Sequence, residues 1–372
     1  MTTHNVAAPG RSRQITPTRL VVLATLVGVT ACGGGSAKTA ATSSTAAPTT
    51  TSSTIARTTT TSASPTSTTV AATTTTAAPG PVFPFTGLPA SDPAVLNRPA
   101  FVIKINNDPE ANPQNGINQA DLVFEERIGP GDTRFLSVFQ STAAEKIGSI
   151  RSVRASDLHI IPALSTPLVA FSGGNENLLP VVRRTDLIDA SYDKHPDLYT
   201  FGKRKTRYNE FFTSSEAVWS VTPDGKGAPA PISTFRPVGQ PLAGGQPATH
   251  LHWAAESYNI DWNWDAVSST WKRDMRGAPH RDTDGVQVSA ANVVAMVVPY
   301  RSAFDDPRSP EAVTIGTGEA TVLSGGAMVK ATWERADDHA PFVFKDAAGK
   351  AIDLAPGHTW FELVDPNTVG IN

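Results

Sequence analysis

The chain has 372 residues, and its 34 acidic residues nearly balance its 31 basic residues, which leaves a net charge of −3. Such a balance provides no basic surface for nucleic acid, so we expect no nucleic-acid partner. The single cysteine excludes disulfides within the chain and zinc sites built on cysteine, and no nucleotide or metal motif is present, so we predict no cofactor and no metal.

Residues 1–31 have the layout of a lipoprotein signal peptide. Three arginines precede an apolar stretch from Leu20 to Val29, and the run Val29-Thr30-Ala31-Cys32 follows it. The stretch is too short to span a membrane, which takes about 20 apolar residues. Cleavage before Cys32 would leave this residue as a lipidated N-terminus, and two acyl chains are enough for stable anchoring. We therefore predict an extracytoplasmic protein that is anchored to the lipid bilayer by the acyl chains on Cys32.

Residues 32–82 follow as a predicted stalk. From position 36 to 80 the chain is almost entirely threonine, serine, alanine and proline, without an apolar period. Such a segment cannot bury enough surface to offset the entropy of ordering it, which predicts disorder. The stalk would hold the folded part away from the membrane, toward the cell wall.

Residues 83–228 are predicted to form a mixed α/β sheet domain. Phe101 to Ile105 is apolar and β-branched and ends in an Asn-Asn-Asp-Pro turn cluster. Asp121 to Ile128 alternates, which places Leu122 and Phe124 on one face and Val123 and Glu125 on the other. Thr133 to Gln140 is the expected hairpin partner of that strand, and a helix-like stretch follows near positions 155–164.

Polar residues gather at the strand ends and tight turns of this first region. Arginine is suited to bidentate recognition of carboxylate or phosphate, and the neighbouring carboxylates and amides could orient such a ligand. The same residues could equally form a buried ion-pair network that fixes the sheet. The candidate ligand-binding residues are Asn107, Asp121, Glu125, Thr133, Arg134, Arg151 and Arg154.

A Gly/Pro-rich crossing at residues 229–247 leads to a second predicted domain, residues 248–372. Short apolar runs alternate there with turn signals such as Ser324-Gly325-Gly326, which is typical of a mostly β domain. The predicted fold class is thus α+β, with two domains after the signal peptide and the stalk.

Three further motifs carry chemistry in other proteins but have simpler interpretations here. His250 and His252 lie two apart without a third metal ligand at suitable spacing. The loop Asp282 to Gly285 lacks the later glutamate of a calcium loop and predicts a β-turn. Ser172-Gly173-Gly174-Asn175 is similar to the Ser-x-Asn element of penicillin-binding enzymes, but their other motifs are missing, which favours a glycine-driven turn.

Both regions resemble the YerB-like lipoprotein family, whose members carry the domain of unknown function DUF3048. In the first region the resemblance lies in Asn107, Pro113-Gln114-Asn115-Gly116, Ala120 to Glu125, Thr133-Arg134-Phe135 and Arg151-Ser152-Val153-Arg154. In the second it lies in Trp271-Lys272-Arg273, Asn292-Val293-Val294, Gly316-Thr317-Gly318, Ala331-Thr332-Trp333 and Leu354 to Trp360. The resemblance implies an envelope lipoprotein, and it implies no activity, because the family has none established.

Two functions from different classes remain open on the sequence. The first is a non-catalytic binding or scaffolding module whose arginines hold a cell-wall polymer or an envelope protein. The alternative is a cell-wall glycan or peptide hydrolase that uses Glu125 or Asp121 as general acid or base. Four residues apart on one strand, these two carboxylates would lie about 13 Å from each other, beyond the ~5–9.5 Å of a glycosidase pair.

Overall fold

The computed structural model describes residues 80–202, 210–255, 258–366 and 369–371. The predicted signal peptide, Cys32 and the stalk as far as residue 79 lie outside these residues. Within the described part of the chain, no helix is long and apolar enough to cross a membrane.

Strands make up most of the regular structure. They are β1 (Phe101–Asn106), β2 (Leu122–Gly129), β3 (Asp132–Phe139), β4 (Ile147–Gly148), β5 (Leu168–Ala170), β6 (Ile188–Asp189), β7 (Thr200–Phe201), β8 (Phe211–Thr213), β9 (Gln246–Pro247), β10 (His250–Ala255), β11 (Tyr258–Asp265), β12 (Thr270–Met275), β13 (Ala278–Pro279), β14 (Ser289–Ala290), β15 (Asn292–Val297), β16 (Tyr300–Ser302), β17 (Pro310–Ala312), β18 (Gly316–Ser324), β19 (Ala327–Arg335), β20 (Val343–Lys345), β21 (Thr359–Val364) and β22 (Val369–Ile371).

Helices are few and short in the described residues, so the fold is mostly β and the expected α component is smaller than predicted. The α-helices are α1 (Pro93–Asn97), α2 (Leu179–Val182) and α3 (Ser215–Trp219). The helix-like stretch near positions 155–164 consists of two 3-10 helices, Ala155–His159 and Ile161–Leu164. Pro162 lies inside the second, and its ring and missing N–H do not permit a continuous α-helix.

One central sheet contains strands from both predicted regions. Its order is β20-β19-β18-β15-β21-β2-β3-β1-β5-β6, and β9 pairs with β19 at one end. The hairpin of β2 and β3 is antiparallel, as the sequence predicted. β21 lies parallel to β2, with Leu122 opposite Thr359, and parallel to β15 on its other side. The first and second regions therefore share a continuous hydrogen-bonded sheet.

The central sheet is buried on both faces. On one face of the sheet, side chains such as those of Val102 and Phe124 pack with the two 3-10 helices in a first core cluster. On the other face, side chains such as those of Phe101 and Phe135 pack in a second core cluster. The alternation predicted for β2 is confirmed, because Leu122 joins the first cluster and Val123 the second. Burial on both faces explains why these strands are nearly continuous apolar runs.

A second sheet supplies much of the second cluster. Its order is β13-β12-β11-β10-β22, and β14 pairs with β12. Trp253, Trp262 and Trp271 project from β10, β11 and β12 into this cluster. Smaller sheets join β16 to β17, and β4 to β8 and β7.

The Gly/Pro-rich crossing, residues 229–247, packs against the second region. Ile232 and Leu242 are buried in the first core cluster. The Arg236 N–H donates to the carbonyl of Leu354 at 2.9 Å, and the Leu354 N–H donates to the carbonyl of Thr234 at 2.9 Å. The segment is thus held by the C-terminal part of the chain.

Replacing Phe361 should destabilise the whole described fold. Phe361 is fully buried on β21, and its ring stacks on Phe124 of β2 with centroids 4.5 Å apart. We expect Phe361→Ala to lower the free energy of unfolding by about 3–5 kcal/mol, because it removes a large core side chain. Urea unfolding followed by tryptophan fluorescence measures this. Phe304→Ala, at a phenylalanine that is 57% exposed, is the control and should change stability by less than about 0.5 kcal/mol. Equal effects of the two variants would contradict the shared core.

Candidate functional site

The predicted site residues separate onto opposite faces of the central sheet. Thr133 and Arg134 are neighbours in β3, and successive side chains of a strand point to opposite faces. Thr133 contacts Glu125 and Asn107 beneath the second sheet. Arg134 lies on the other face, near Arg151 and Arg154. The sequence predicted that these residues form one cluster, whereas the structure divides them into two clusters.

Glu125 belongs to a closed network between the two sheets. Arg273 of β12 donates from Nη2 to Glu125 Oε2 at 2.6 Å, and both side chains are almost fully buried. The Thr133 hydroxyl donates to Glu125 Oε1 at 2.7 Å, and Asn107 Nδ2 donates to the Thr133 oxygen at 2.7 Å. Protein donors therefore occupy both oxygens of Glu125.

A second carboxylate, Glu362 of β21, shares the same guanidinium. Arg273 Nε lies 3.8 Å from Glu362 Oε1, and Trp262 Nε1 donates to that oxygen at 2.8 Å. Burial, followed by repulsion from Glu125, raises the pKa of Glu362 well above its usual value. A protonated Glu362 leaves one negative charge, that of Glu125, to balance Arg273.

His280 continues the network toward the loop that begins at Pro113. Arg273 Nη1 lies 2.9 Å from His280 Nδ1, and His280 Nε2 lies 2.7 Å from the amide oxygen of Gln114. Burial and the adjacent Arg273 lower the pKa of His280 well below 6.5, which favours the neutral ring. Since arginine can only donate, Nδ1 accepts and Nε2–H donates to Gln114. The network thus joins β12 to the N-terminal region through defined hydrogen bonds.

Asp121 has a different structural role from Glu125. It lies just before β2, is fully buried, and accepts the backbone N–H groups of Gln140 and Ser141, each at 2.7 Å. Burial is the largest cause of its raised pKa. Asp121 and Glu125 are therefore both bound by donors of the protein itself, and the hydrolase alternative stays a prediction.

Three arginines converge on the opposite face and form what we call the arginine cluster, Arg134, Arg151 and Arg154. Arg134 of β3 lies opposite Asn106 of β1 and Glu126 of β2 in the strand register. It is only 2% exposed, and its Nη1 donates to the carbonyl of Ser152 at 3.2 Å. Its Nε has no hydrogen-bond partner among the described residues. Burial, then the charges of Arg154 and Arg151, lower the pKa of Arg134 to about 9.

Arg154 and Arg151 are half-buried beside it. Arg154 Nη1 donates to the carbonyl of Val153 at 3.0 Å, which is a neutral acceptor. The backbone N–H of Arg151 donates to the carbonyl of Lys104 at 2.8 Å and ties this segment to β1. Within the described ranges, no carboxylate forms a salt bridge with Arg134 or Arg154.

The nearest buried acids are paired with a lysine instead. Lys104 of β1 contacts Glu126 and lies 2.6 Å from Asp157, and all three side chains are almost fully buried. Asp157 also accepts the backbone N–H of Arg154 at 2.7 Å, which fixes the start of its 3-10 helix. Burial and the adjacent Asp157 raise the pKa of Glu126 to about 7.

The arginine cluster lies at the carboxyl ends of two parallel strands, β1 and β5. The segment after β5 pairs with it, because Ser172 N–H donates to Arg151 at 3.1 Å and Val153 N–H donates to Gly173 at 3.0 Å. Gly173 has φ near +150°, which agrees with the predicted glycine-driven turn. The carboxyl ends of parallel strands are where open sheets with parallel strands commonly bind ligands.

Sequence reasoning missed the residues that pair across these networks. Lys104 within an apolar strand was the one available signal, because a lysine is rarely fully buried without a partner. Arg273, His280 and Glu362 gave no such signal, since each has a partner that lies at least 100 residues away in the sequence.

The remaining motifs take simple roles. His250 and His252 both contact Asp261 Oδ1, at 2.9 Å and 2.8 Å. In the described parts of the chain, no group of three or more histidine, cysteine or acidic side chains is placed to hold a metal ion. Asp282 accepts the backbone N–H groups of Asp284 and Val286, as a turn-forming aspartate does.

Comparisons with known proteins agree with this architecture. The model "Protein of unknown function (DUF3048) N-terminal domain" matches residues 85–227, and the model "Protein of unknown function (DUF3048) C-terminal domain" matches residues 249–361. The curated relative "Putative lipoprotein YerB" of Bacillus subtilis (strain 168) is 24% identical over 291 residues, which are 76% of this chain and 85% of the relative. A crystal structure of YerB protein from Bacillus subtilis has a TM-score of 0.67 and 19% identity, and the match covers 78% of this chain and 99% of that chain.

The fold defines a β-rich protein in which two sequence segments build one central sheet. The chain belongs to the DUF3048 family, because the two family models together match more than half of it. The resemblance found in the sequence is thereby confirmed, and the matched ranges agree with the two predicted folded regions.

Removing the shared guanidinium should destabilise the fold strongly. We expect Arg273→Met to lower the free energy of unfolding by about 3–5 kcal/mol, because Glu125 would remain buried without a counter-charge. Chemical denaturation measures this loss. Lys272→Met, which removes the neighbouring charge on the opposite face of β12, is the control and should cost less than about 0.5 kcal/mol. A mild effect at Arg273 would show that the network contributes little.

Glu126 should make stability fall as the pH rises. Its folded-state pKa of about 7 exceeds its usual 4.5, so the folded state holds a proton that the unfolded chain has released. This stabilising contribution is complete below about pH 4.5 and is lost as the pH rises through 7. Between pH 5 and pH 8 the wild type should lose on the order of 2 kcal/mol more than Glu126→Gln. Denaturation at both pH values measures the difference, and parallel curves would contradict the assignment.

Proposed function

We propose that this protein is a membrane-anchored extracytoplasmic lipoprotein that binds an anionic cell-envelope ligand, without catalysis, through Arg134, Arg151 and Arg154. The ligand chemistry is phosphate or carboxylate, which guanidinium groups recognise by paired hydrogen bonds. A cell-wall polymer carrying such groups is the ligand class that fits the predicted location.

The placement of Arg134 carries the proposal. Its guanidinium is almost fully buried, and Arg154 and Arg151 repel its charge more strongly than Asp108 and Glu126 attract it. Burying a charge is costly unless an opposite charge compensates it. The acids that could have compensated it from below, Glu126 and Asp157, are bound to Lys104. An anion at the cluster would supply the missing charge and would give Nε an acceptor.

A purely structural network is the competing interpretation, and the two clusters differ on this point. Arg273 has its carboxylate partner within the protein, at 2.6 Å. The side-chain hydrogen bonds that Arg134 and Arg154 donate within the described chain go to main-chain carbonyls, which carry no full charge. Satisfied structural arginines resemble the first case, whereas anion-binding arginines resemble the second.

The predicted location rests on separate observations. The run Val29-Thr30-Ala31-Cys32 follows a short apolar stretch, and a relative covering 76% of this chain is named a lipoprotein. Acylation of Cys32 would place the folded part outside the membrane at the end of the stalk. There it would meet the polyanions of the envelope.

Arg134→Met should weaken anion binding without unfolding the protein. Isothermal titration with polyphosphate, polygalacturonate and neutral dextran tests the ligand chemistry directly. We expect wild-type protein to bind one of the two polyanions and not dextran. Binding by Arg134→Met should be roughly 10- to 100-fold weaker, because a hydrogen bond to a charged group contributes about 1.5–3 kcal/mol.

Arg183→Met is the matched control, because Arg183 is an exposed arginine paired with Asp189 and Asp193. It makes the same charge change and should leave affinity within about twofold, since surface pairs contribute little. Unfolding of ligand-free Arg134→Met should occur at or above the wild-type midpoint. If both variants lose the same affinity, the loss results from the change in net charge and not from the arginine cluster. If Arg134→Met unfolds far below the wild-type midpoint, the structural interpretation is favoured.

A further inference from the structure

Aromatic side chains gather at the hairpin of β7 and β8, on the side of the second core cluster. The ring centroids of Tyr192 and Phe211 lie 4.8 Å apart, those of Phe201 and Phe211 5.1 Å, and those of Tyr192 and Phe201 5.8 Å. Phe201 is 59% exposed, and Tyr192 and Phe211 are half-buried. We call these three side chains the aromatic platform.

The two tyrosines of this region differ in how their hydroxyl groups are used. Tyr199 packs under the platform, is buried, and donates its hydroxyl to the carbonyl of Ala190 at 2.6 Å. The hydroxyl of Tyr192 has no hydrogen-bond partner among the described residues. The platform therefore combines an exposed phenylalanine ring with an available polar group beside it.

We propose that the aromatic platform of Tyr192, Phe201 and Phe211 is a saccharide-binding surface. One face of a pyranose ring presents polarised C–H groups, which pack against the negative face of an aromatic ring. The equatorial hydroxyl groups of the sugar then point sideways, where the Tyr192 hydroxyl can donate or accept. This inference takes from the proposed function only the envelope location and does not require the arginine cluster to bind.

The size of the platform favours a sugar over a protein partner. An exposed aromatic side chain provides on the order of 200 Å² of contact, whereas a stable protein interface buries about 800 Å² on each partner. The other strongly exposed apolar side chains, such as Val238, Val267 and Phe304, make no ring contact with the platform within the described residues. The rings of the platform are inclined to one another by 54° to 88°, so the exposed face of Phe201 matches one sugar unit.

The platform also adjoins the arginine cluster through the backbone. Tyr192 N–H donates to the carbonyl of Phe171 at 3.0 Å, and the next residue, Ser172, donates to Arg151 at 3.1 Å. Ile150 N–H donates to the carbonyl of Phe211 at 2.8 Å. The side chains themselves lie on different faces of the central sheet, because Tyr192 and Phe211 pack against the second core cluster and the arginine cluster lies on the other face. The two surfaces can therefore be tested separately.

Binding of neutral oligosaccharides tests this inference apart from the anion site. The probes are a β-1,4-linked N-acetylglucosamine hexamer and a linear galactan oligomer, followed by saturation-transfer NMR and isothermal titration. We expect wild-type protein to bind one of them with contacts on the C–H face of the ring. Phe201→Ala should weaken that binding at least tenfold, and Phe201→Trp should retain it.

Two controls separate the possible failures. Phe304→Ala removes an equally exposed phenylalanine and should bind as wild type does. Arg134→Met should also bind the neutral oligomer as wild type does. Loss of the anion site can therefore be distinguished from loss of the platform by the binding of neutral oligosaccharides. The inference is overturned if wild-type protein binds neither oligomer, or if Phe201→Ala binds as tightly as Phe304→Ala.

Discussion

The structure depends on one buried guanidinium, that of Arg273, placed where the two sheets meet. It contacts Glu125 from β2, approaches Glu362 from β21, and lies over the ring of Trp360 at 5.0 Å. Taking a charge out of water costs several kcal/mol, which is offset here by an adjacent carboxylate and surrounding donors. Because the partners come from both ends of the folded chain, the interaction forms only when the sheets are correctly aligned.

Charged side chains on the opposite face of the central sheet are paired differently. Lys104 balances Glu126 and Asp157 within the core, and Arg134 remains beside other arginines. One face therefore holds Arg273 with its carboxylate partner, and the other holds Arg134 and Arg154, whose side chains donate to main-chain carbonyls in the described chain. This contrast separates a structural network from a candidate binding site more clearly than the residue types do.

Glu125 illustrates why polar residues at strand ends are ambiguous in a sequence. Its spacing and its neighbours were compatible with a general acid or base, a ligand contact or an ion pair. The choice depends on Arg273, which is 148 residues away in the chain. Thr133 of β3 and Asn107, which follows the end of β1, join the network through hydrogen bonds to Glu125 and to each other.

Local structure could be read from the sequence: the alternation of β2, the hairpin of β2 and β3, and the hairpin of β18 and β19 at Gly325-Gly326, where both glycines have positive φ. The motifs along both regions also identified the family. The sequence did not reveal that β21 lies between β15 and β2, or that the candidate residues separate onto different faces of the sheet. The physical reason is that periodicity and turn chemistry are local, whereas parallel pairing and buried charge balance join residues that the chain order leaves far apart.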